Sequence, residues 1–174
     1  MNLPNILTLV RMGMVPAVIV CFLADAPFCA LALFLLAGAT DVLDGYLARK
    51  NSQITTFGQV MDPLADKLML MTTLICLYVT DRVPLAVPII IAVKECTMIA
   101  VAALLYRKHI VLPANIFGKL ATVLFTLAVL LSFLSDYVAP LHTYALYLAT
   151  GVAIFAMAYY GRCVIKMNPH LFGK

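Results

Sequence analysis

Four aspartates in one short stretch are the side chains best suited to chemistry. The sequence reads Gly38-Ala39-Thr40-Asp41-Val42-Leu43-Asp44-Gly45-Tyr46-Leu47-Ala48-Arg49. After eight residues it continues Gly58-Gln59-Val60-Met61-Asp62-Pro63-Leu64-Ala65-Asp66-Lys67. Asp41 and Asp44 are three apart, and Asp62 and Asp66 are four apart. On helices, each spacing puts both members of a pair on one face. A short connection between two such helices lets the four carboxylates converge. Like charges a few Å apart resist joint ionisation, and the two nearby cations, Arg49 and Lys67, do not neutralise four of them. A bound divalent metal does, and hard carboxylate oxygens favour Mg²⁺ or Mn²⁺. The alternative is structural: Asp41 and Asp62 as caps paired with Arg49 and Lys67. It gives no reason for Asp44 and Asp66.

Small residues flank the carboxylates. Glycine in a helix costs about 1 kcal/mol relative to alanine, so Gly45 and Gly58, with Ala48 one turn beyond Asp44, suggest close approach of something bulky. Small residues also form packing notches between membrane helices.

The elements that must position these groups follow from composition. The chain has 174 residues, of which 64% are apolar and 11% charged, with no Trp; its mean hydropathy is +1.04. Soluble domains are about half apolar and about a quarter charged. A soluble enzyme and a disordered chain are therefore excluded. The net charge of +4 is too weak and scattered for a nucleic-acid groove. An all-α integral membrane bundle remains, as a single domain over 1–174. Spans of roughly 20 residues each fit at roughly 5–24, 27–48, 61–80, 84–106, 116–135 and 141–163. The breaks carry turn or charge signals, as at Asp25-Ala26-Pro27 and Asp81-Arg82-Val83-Pro84.

Six spans put Arg11, Arg49, Lys50, Lys67, Arg107, Lys108, Lys119, Arg162, Lys166 and Lys174 on one side, with Arg82 alone on the other. The positive-inside bias makes that side, with both termini, cytoplasmic. The aspartate cluster lies at the same boundary. Near the N-terminus, Asn5, Thr8 and Arg11 recur every three residues and form one polar face. Residues 1–10 could alternatively form a short interfacial helix ahead of the first span. The five cysteines lie in apolar runs without metal-ligand spacing and read as core residues.

The pattern Asp-x2-Asp-Gly-x2-Ala-Arg-x8-Gly-x3-Asp-x3-Asp resembles the signature of the CDP-alcohol phosphotransferases. Asp41, Asp44, Gly45, Ala48, Arg49, Gly58, Asp62 and Asp66 carry it with no position missing. Six spans with cytoplasmic ends is also that family's architecture, and a homodimer is what the family implies. Its members transfer a substituted phosphate from a CDP-alcohol to a second alcohol and release CMP. Two further stretches, Pro4-Asn5-Ile6-Leu7-Thr8-Leu9-Val10-Arg11 and Asp62-Pro63-Leu64-Ala65-Asp66-Lys67, are similar to the phosphatidylglycerophosphate synthases in the family. They are also similar to its cardiolipin synthases. Departures fall at Lys94-Glu95, where Arg-Glu is frequent, and at Leu120-Ala121-Thr122, where a second Lys before the Thr is usual. Both lie near the acceptor in the family.

The resemblance implies roles. Asp41, Asp44, Asp62 and Asp66 would hold two Mg²⁺ or Mn²⁺ ions on the pyrophosphate of CDP-diacylglycerol, with Asp66 also the general base. Gly45, Ala48, Arg49 and Gly58 would line the nucleotide-lipid site. Asn5, Thr8, Arg11, Lys94, Arg107, Lys119 and Arg162 are candidates for an acceptor pocket that takes an anion such as glycerol 3-phosphate. A cation inside a span costs about 2.5–3.5 kcal/mol unless paired or hydrated. Adjacent helix residues point about 100° apart and pair poorly. Lys94 is therefore expected to reach a polar cavity, with a purely structural pair to a carboxylate such as Glu95 as the alternative. The implied setting is the cytoplasmic membrane, multi-pass, with the active site facing the cytoplasm. Cardiolipin synthesis from phosphatidylglycerol and transfer to an inositol phosphate are the enzymatic alternatives. From another class, a small cation transporter would also carry intramembrane carboxylates.

Overall fold

A computed structural model describes residues 3–50, 56–107 and 116–167; Asn5, Asp44, Ala48, Arg49, Gly58 and Arg107 are described as helix backbone only. Every element among the described residues is helical: α1 (Leu3–Leu23), α2 (Pro27–Lys50), α3 (Thr56–Val79), α4 (Ala86–Arg107), α5 (Ile116–Phe133), the short α6 (Ser135–Val138) and α7 (Leu141–Met167). The six long helices follow the six apolar segments of the sequence. The largest shift is at α3, which starts at Thr56 and runs through Pro63. Membrane helices tolerate an internal proline because surrounding groups re-satisfy the freed carbonyl.

The separate interfacial helix over residues 1–10 does not form. α1 is continuous from Leu3 to Leu23. Pro4 lies in its first turn, where a missing N–H removes no helical bond. Thr8 and Arg11 are buried inside the packing of the first unit, so the N-terminal half of α1 is held by protein.

Among the described residues, four helices are long and apolar enough to cross a membrane, at Ile6–Leu23, Ala86–Leu105, Ile116–Phe133 and Leu141–Val164. α2 offers the shorter apolar stretch Pro27–Leu43. The charged motif explains the difference, because it occupies one end of both α2 and α3. The outer faces carry large apolar side chains, among them Val20, Leu23, Val79, Ile116 and Leu148. Such faces suit lipid.

The chain divides into two units, Met1–Arg82 and Val83–Lys174. In the first, α1 packs on both α2 and α3. Its interior is built from Val18 of α1, Ala30 and Ala37 of α2, and Ala65, Met69, Leu74 and Leu77 of α3. The alanines let the helices approach closely. α1 and α3 end alike. Asp25 and Asp81 take positive φ values of 51° and 57°, and the next residue reaches back to the last turn: Ala26 N–H to Cys21 O and Arg82 N–H to Leu77 O, both 2.9 Å. These are Schellman closures, with Asp in the position glycine usually takes.

In the second unit α5 packs on α7. Ala121, Phe125, Ala128 and Val129 face Leu146, Ala149, Ala153 and Ala156, buried residues at three- and four-residue spacing. α4 joins through α7. All five cysteines are free.

Candidate active site

The aspartates meet α1. Thr8 and Arg11 are one turn apart and both fully buried. The Thr8 hydroxyl donates a hydrogen bond to Asp62 Oδ1. Arg11 Nη1 donates to Asp41 Oδ1 at 2.8 Å and to Asp66 Oδ1 at 2.8 Å. One helix face thus gathers a carboxylate from α2 and two from α3. Arg11 is 1% exposed, whereas Asp41 and Asp66 are 40% and 46% exposed. The guanidinium lies beneath the carboxylates, which keep a face open for a ligand. Immediately before Asp41, Thr40 donates its hydroxyl to Ala37 O, one turn back, at 2.8 Å.

The physical reason for this arrangement is charge. Burying a guanidinium is favourable only with anionic partners, and close carboxylates are tolerable only beside a cation. On the polar face of Asn5, Thr8 and Arg11, read above as lining an acceptor pocket, the last two members grip the aspartate motif. Asn5 lies outside the described side chains. The three-residue spacing revealed the face; its partners were not readable from it.

The remaining residues divide by unit. Gly45 is half-buried on α2, and Lys67 is half-buried on α3 next to Asp66. The side chains of Asp44, Ala48, Arg49 and Arg107, the surroundings of Gly58, and all of Lys108 lie outside the described residues. In the second unit Lys94 Nζ pairs with Glu95 Oε1 at 2.5 Å. This corrects the expectation that such neighbours pair poorly: the four-carbon lysine arm spans the angle between adjacent positions. Lys119, near the start of α5, and Arg162, near the end of α7, are both exposed. Phe117 packs on Tyr159 and Phe155, with ring centroids 5.0 and 5.8 Å apart. Those contacts set the start of α5 beside the last turns of α7, so Lys119 and Arg162 share one end of the unit. Tyr159 is thereby a packing residue.

The donor set fits a hard divalent cation. Carboxylate oxygens from two helices already converge on one positive charge, and both carboxylates on Arg11 remain partly open. Among the described residues no three carboxylate, imidazole or thiol side chains form a ready cage; the motif's remaining carboxylate, Asp44, is described only as backbone.

Membrane-compatible helices and a carboxylate cluster held from a third helix narrow the class, and comparison with known proteins names it. The model of the CDP-alcohol phosphatidyltransferase family matches residues 1–158. The chain belongs to that family. It is similar to the CDP-diacylglycerol--glycerol-3-phosphate 3-phosphatidyltransferase of Bacillus subtilis (strain 168), 36% identical over 136 residues and 70% of each chain. It is similar to the protein of the same name from Rickettsia bellii, 34% identical over 134 residues and 74% of each chain. A shorter likeness, 46% identity over 80 residues, joins it to the cardiolipin synthase (CMP-forming) of Oryza sativa subsp. japonica. That match covers 44% of this chain and 24% of the rice protein.

Proposed function

We propose that this enzyme transfers the phosphatidyl group of CDP-diacylglycerol to glycerol 3-phosphate, giving phosphatidylglycerophosphate and CMP. The observation that carries the reading is the convergence of Asp41, Asp62 and Asp66 on Thr8 and Arg11. Relatives spanning 70% or more of the chain bear the name of this activity, whereas the rice cardiolipin synthase matches over 44% of it.

In this reading the acceptor hydroxyl attacks the phosphorus that carries diacylglycerol. A new P–O bond forms, the P–O bond to CMP breaks, and CMP leaves with the bonding electrons. Asp66 takes the hydroxyl proton. It is suited to that role because it is nearly half exposed. Asp41, Asp44, Asp62 and Asp66 would hold two divalent ions, Mg²⁺ or Mn²⁺, which supply charge neutralisation at the pyrophosphate. Gly45, Ala48 and Gly58 leave room for the nucleotide, and Arg49 meets a phosphate. Lys119 and Arg162, joined by Arg107, meet the acceptor's phosphate; an Arg binds such a group bidentately and a Lys as a point charge. The acyl chains stay in lipid against the apolar outer faces. The chain forms one domain of six spans in the inner (cytoplasmic) membrane, with both termini and the active site at the cytoplasmic face, and works as a homodimer.

The test is the purified enzyme with CDP-diacylglycerol and Mg²⁺, offered glycerol 3-phosphate, phosphatidylglycerol and an inositol phosphate in parallel. Labelled phosphatidylglycerophosphate with stoichiometric CMP is expected from the first alone. Cardiolipin from the second would reassign the acceptor, and no CMP with any of them would overturn the reading.

A further inference from the structure

A single nitrogen, Arg11 Nη1, lies 2.8 Å from an oxygen of Asp41 on α2 and 2.8 Å from an oxygen of Asp66 on α3. A bridging cation makes contacts of this kind. We infer that Arg11 stands in for the divalent ion in the metal-free enzyme and releases Asp41 and Asp66 when metal binds. The inference rests on the metal role given to the aspartates in the proposed function.

Two observations separate this from an ordinary helix–helix salt bridge. First, the geometry is lopsided. The guanidinium is 1% exposed while its partners are 40% and 46% exposed. Arg11 therefore neutralises the carboxylates from the protein side and leaves their outer side open to an incoming ion. Second, Thr8 and Arg11 treat the motif differently. Thr8 gives Asp62 a neutral donor, which can remain in place beside a metal ion, as hydrogen-bonded metal ligands commonly are. Arg11 gives Asp41 and Asp66 a full positive charge. A divalent ion on the same oxygens would sit within a few Å of it, and the two cations repel. Arg11 and the metal thus compete for one pair of carboxylates. In the absence of metal, Arg11 prevents the carboxylates from driving α2 and α3 apart. It is a positioning residue, acting through Asp41 and Asp66.

Competition has a sign that a purely supporting role lacks. If Arg11 only oriented the ligands, removing it would weaken metal binding. If it competes, removing it tightens binding. The measurement is Mn²⁺ titration of the chelator-stripped enzyme in lipid nanodiscs, with free Mn²⁺ followed by its EPR signal, on wild type, Arg11→Gln, Arg11→Lys and Thr8→Val. Arg11→Gln should bind Mn²⁺ roughly ten- to a hundredfold more tightly than wild type, the usual range of a coupling between two ligands. Arg11→Lys, a point charge that cannot fork in the same way, should fall between them, and Thr8→Val should show no tightening. Thermal melting provides a second reading: metal-free Arg11→Gln should melt below wild type, with a larger rise in Tm on adding Mn²⁺. If Arg11→Gln does not survive without metal, Arg11→Lys carries the comparison. Equal or weaker Mn²⁺ binding in both Arg11 variants overturns the exchange alone. No Mn²⁺ binding by wild type overturns the metal reading and the exchange with it.

Discussion

Arg11 and Lys94 are both cations inside apolar helices, and each has a carboxylate partner, but they pair in opposite ways. Arg11 reaches across space to residues 30 and 55 positions away and ties α1 to α2 and α3. Lys94 turns to its neighbour in sequence, Glu95, on the same helix. The first pairing exists only if three helices pack correctly. The second lies within α4 whatever its surroundings. Exposure agrees: Arg11 is 1% exposed, and Lys94 is 24% exposed. A membrane helix can neutralise a charge locally at little structural consequence. Long-range neutralisation of a buried charge specifies an arrangement, and here that arrangement coincides with the signature motif.

The comparison breaks most visibly at the carboxylates on Arg11. Asp66→Asn should lower kcat by roughly 10²–10⁴-fold, the usual contribution of a positioned base, while CDP-diacylglycerol still binds. Asp41→Asn should lose turnover and metal affinity together. Initial rates with parallel lipid-binding measurements check both. An Asp66→Asn enzyme within a few-fold of wild type would remove Asp66 as the base.

Next in size is the difference between the two cations in stability. Arg11→Gln removes the centre of a three-helix contact and should lower the unfolding free energy by about 1–3 kcal/mol; breaking a fully buried pair costs more, and the open faces of Asp41 and Asp66 reduce the loss. Lys94→Gln should cost about 1 kcal/mol or less. Denaturation in mixed micelles measures both. Equal losses would mean that the Arg11 contact specifies nothing the local pair does not.

How much of this was legible in the sequence differs between the two regions as well. The helices were readable because apolar length and turn signals are local properties, and α2 begins at Pro27 as its sequence suggests. The catalytic candidates were readable because three- and four-residue spacings fix a helix face. The partners of Thr8 and Arg11 were not, since a polar face says that something polar lies opposite and nothing about what. The contacts of that face with Asp41, Asp62 and Asp66 came from the structure alone. Lys94 shows the reverse error. Ideal helix geometry argued against pairing with Glu95, and a long flexible side chain found it. α3 starts at Thr56, ahead of the apolar stretch that placed its span at 61–80.

A smaller effect tests the neutral half of the α1 grip. Thr8→Val keeps the shape and removes the donor to Asp62. A hydrogen bond to a charged group contributes about 1.5–3 kcal/mol, part of which the partial exposure of Asp62 returns through water. A loss of turnover of several-fold is expected, with Thr8→Ser restoring most of it. If Ser does not rescue, Thr8 acts through packing.

The smallest effect belongs to Lys94, and a double-mutant cycle separates its two possible roles. Lys94→Gln leaves Glu95 without the 2.5 Å contact, and Glu95→Gln leaves Lys94 without it. Each single change should therefore destabilise slightly. Lys94→Gln/Glu95→Gln replaces the ion pair by two amides that hydrogen-bond each other without a charge to desolvate, so it should recover most of the loss. The expected coupling is a few tenths to about 1 kcal/mol, as for other partly exposed pairs. Kinetics give the independent reading. A lysine that does not reach the acceptor leaves the KM for glycerol 3-phosphate unchanged in all three variants, the result expected here. Lys119→Ala and Arg162→Ala serve as the contrast, since both cations lie at the shared end of α5 and α7 and should raise that KM more than the KM for CDP-diacylglycerol. A KM for glycerol 3-phosphate that rises in Lys94→Gln and stays raised in the double variant would show that Lys94 reaches the acceptor despite its neighbour. The contrast with Arg11 would then be one of partner and no longer one of role.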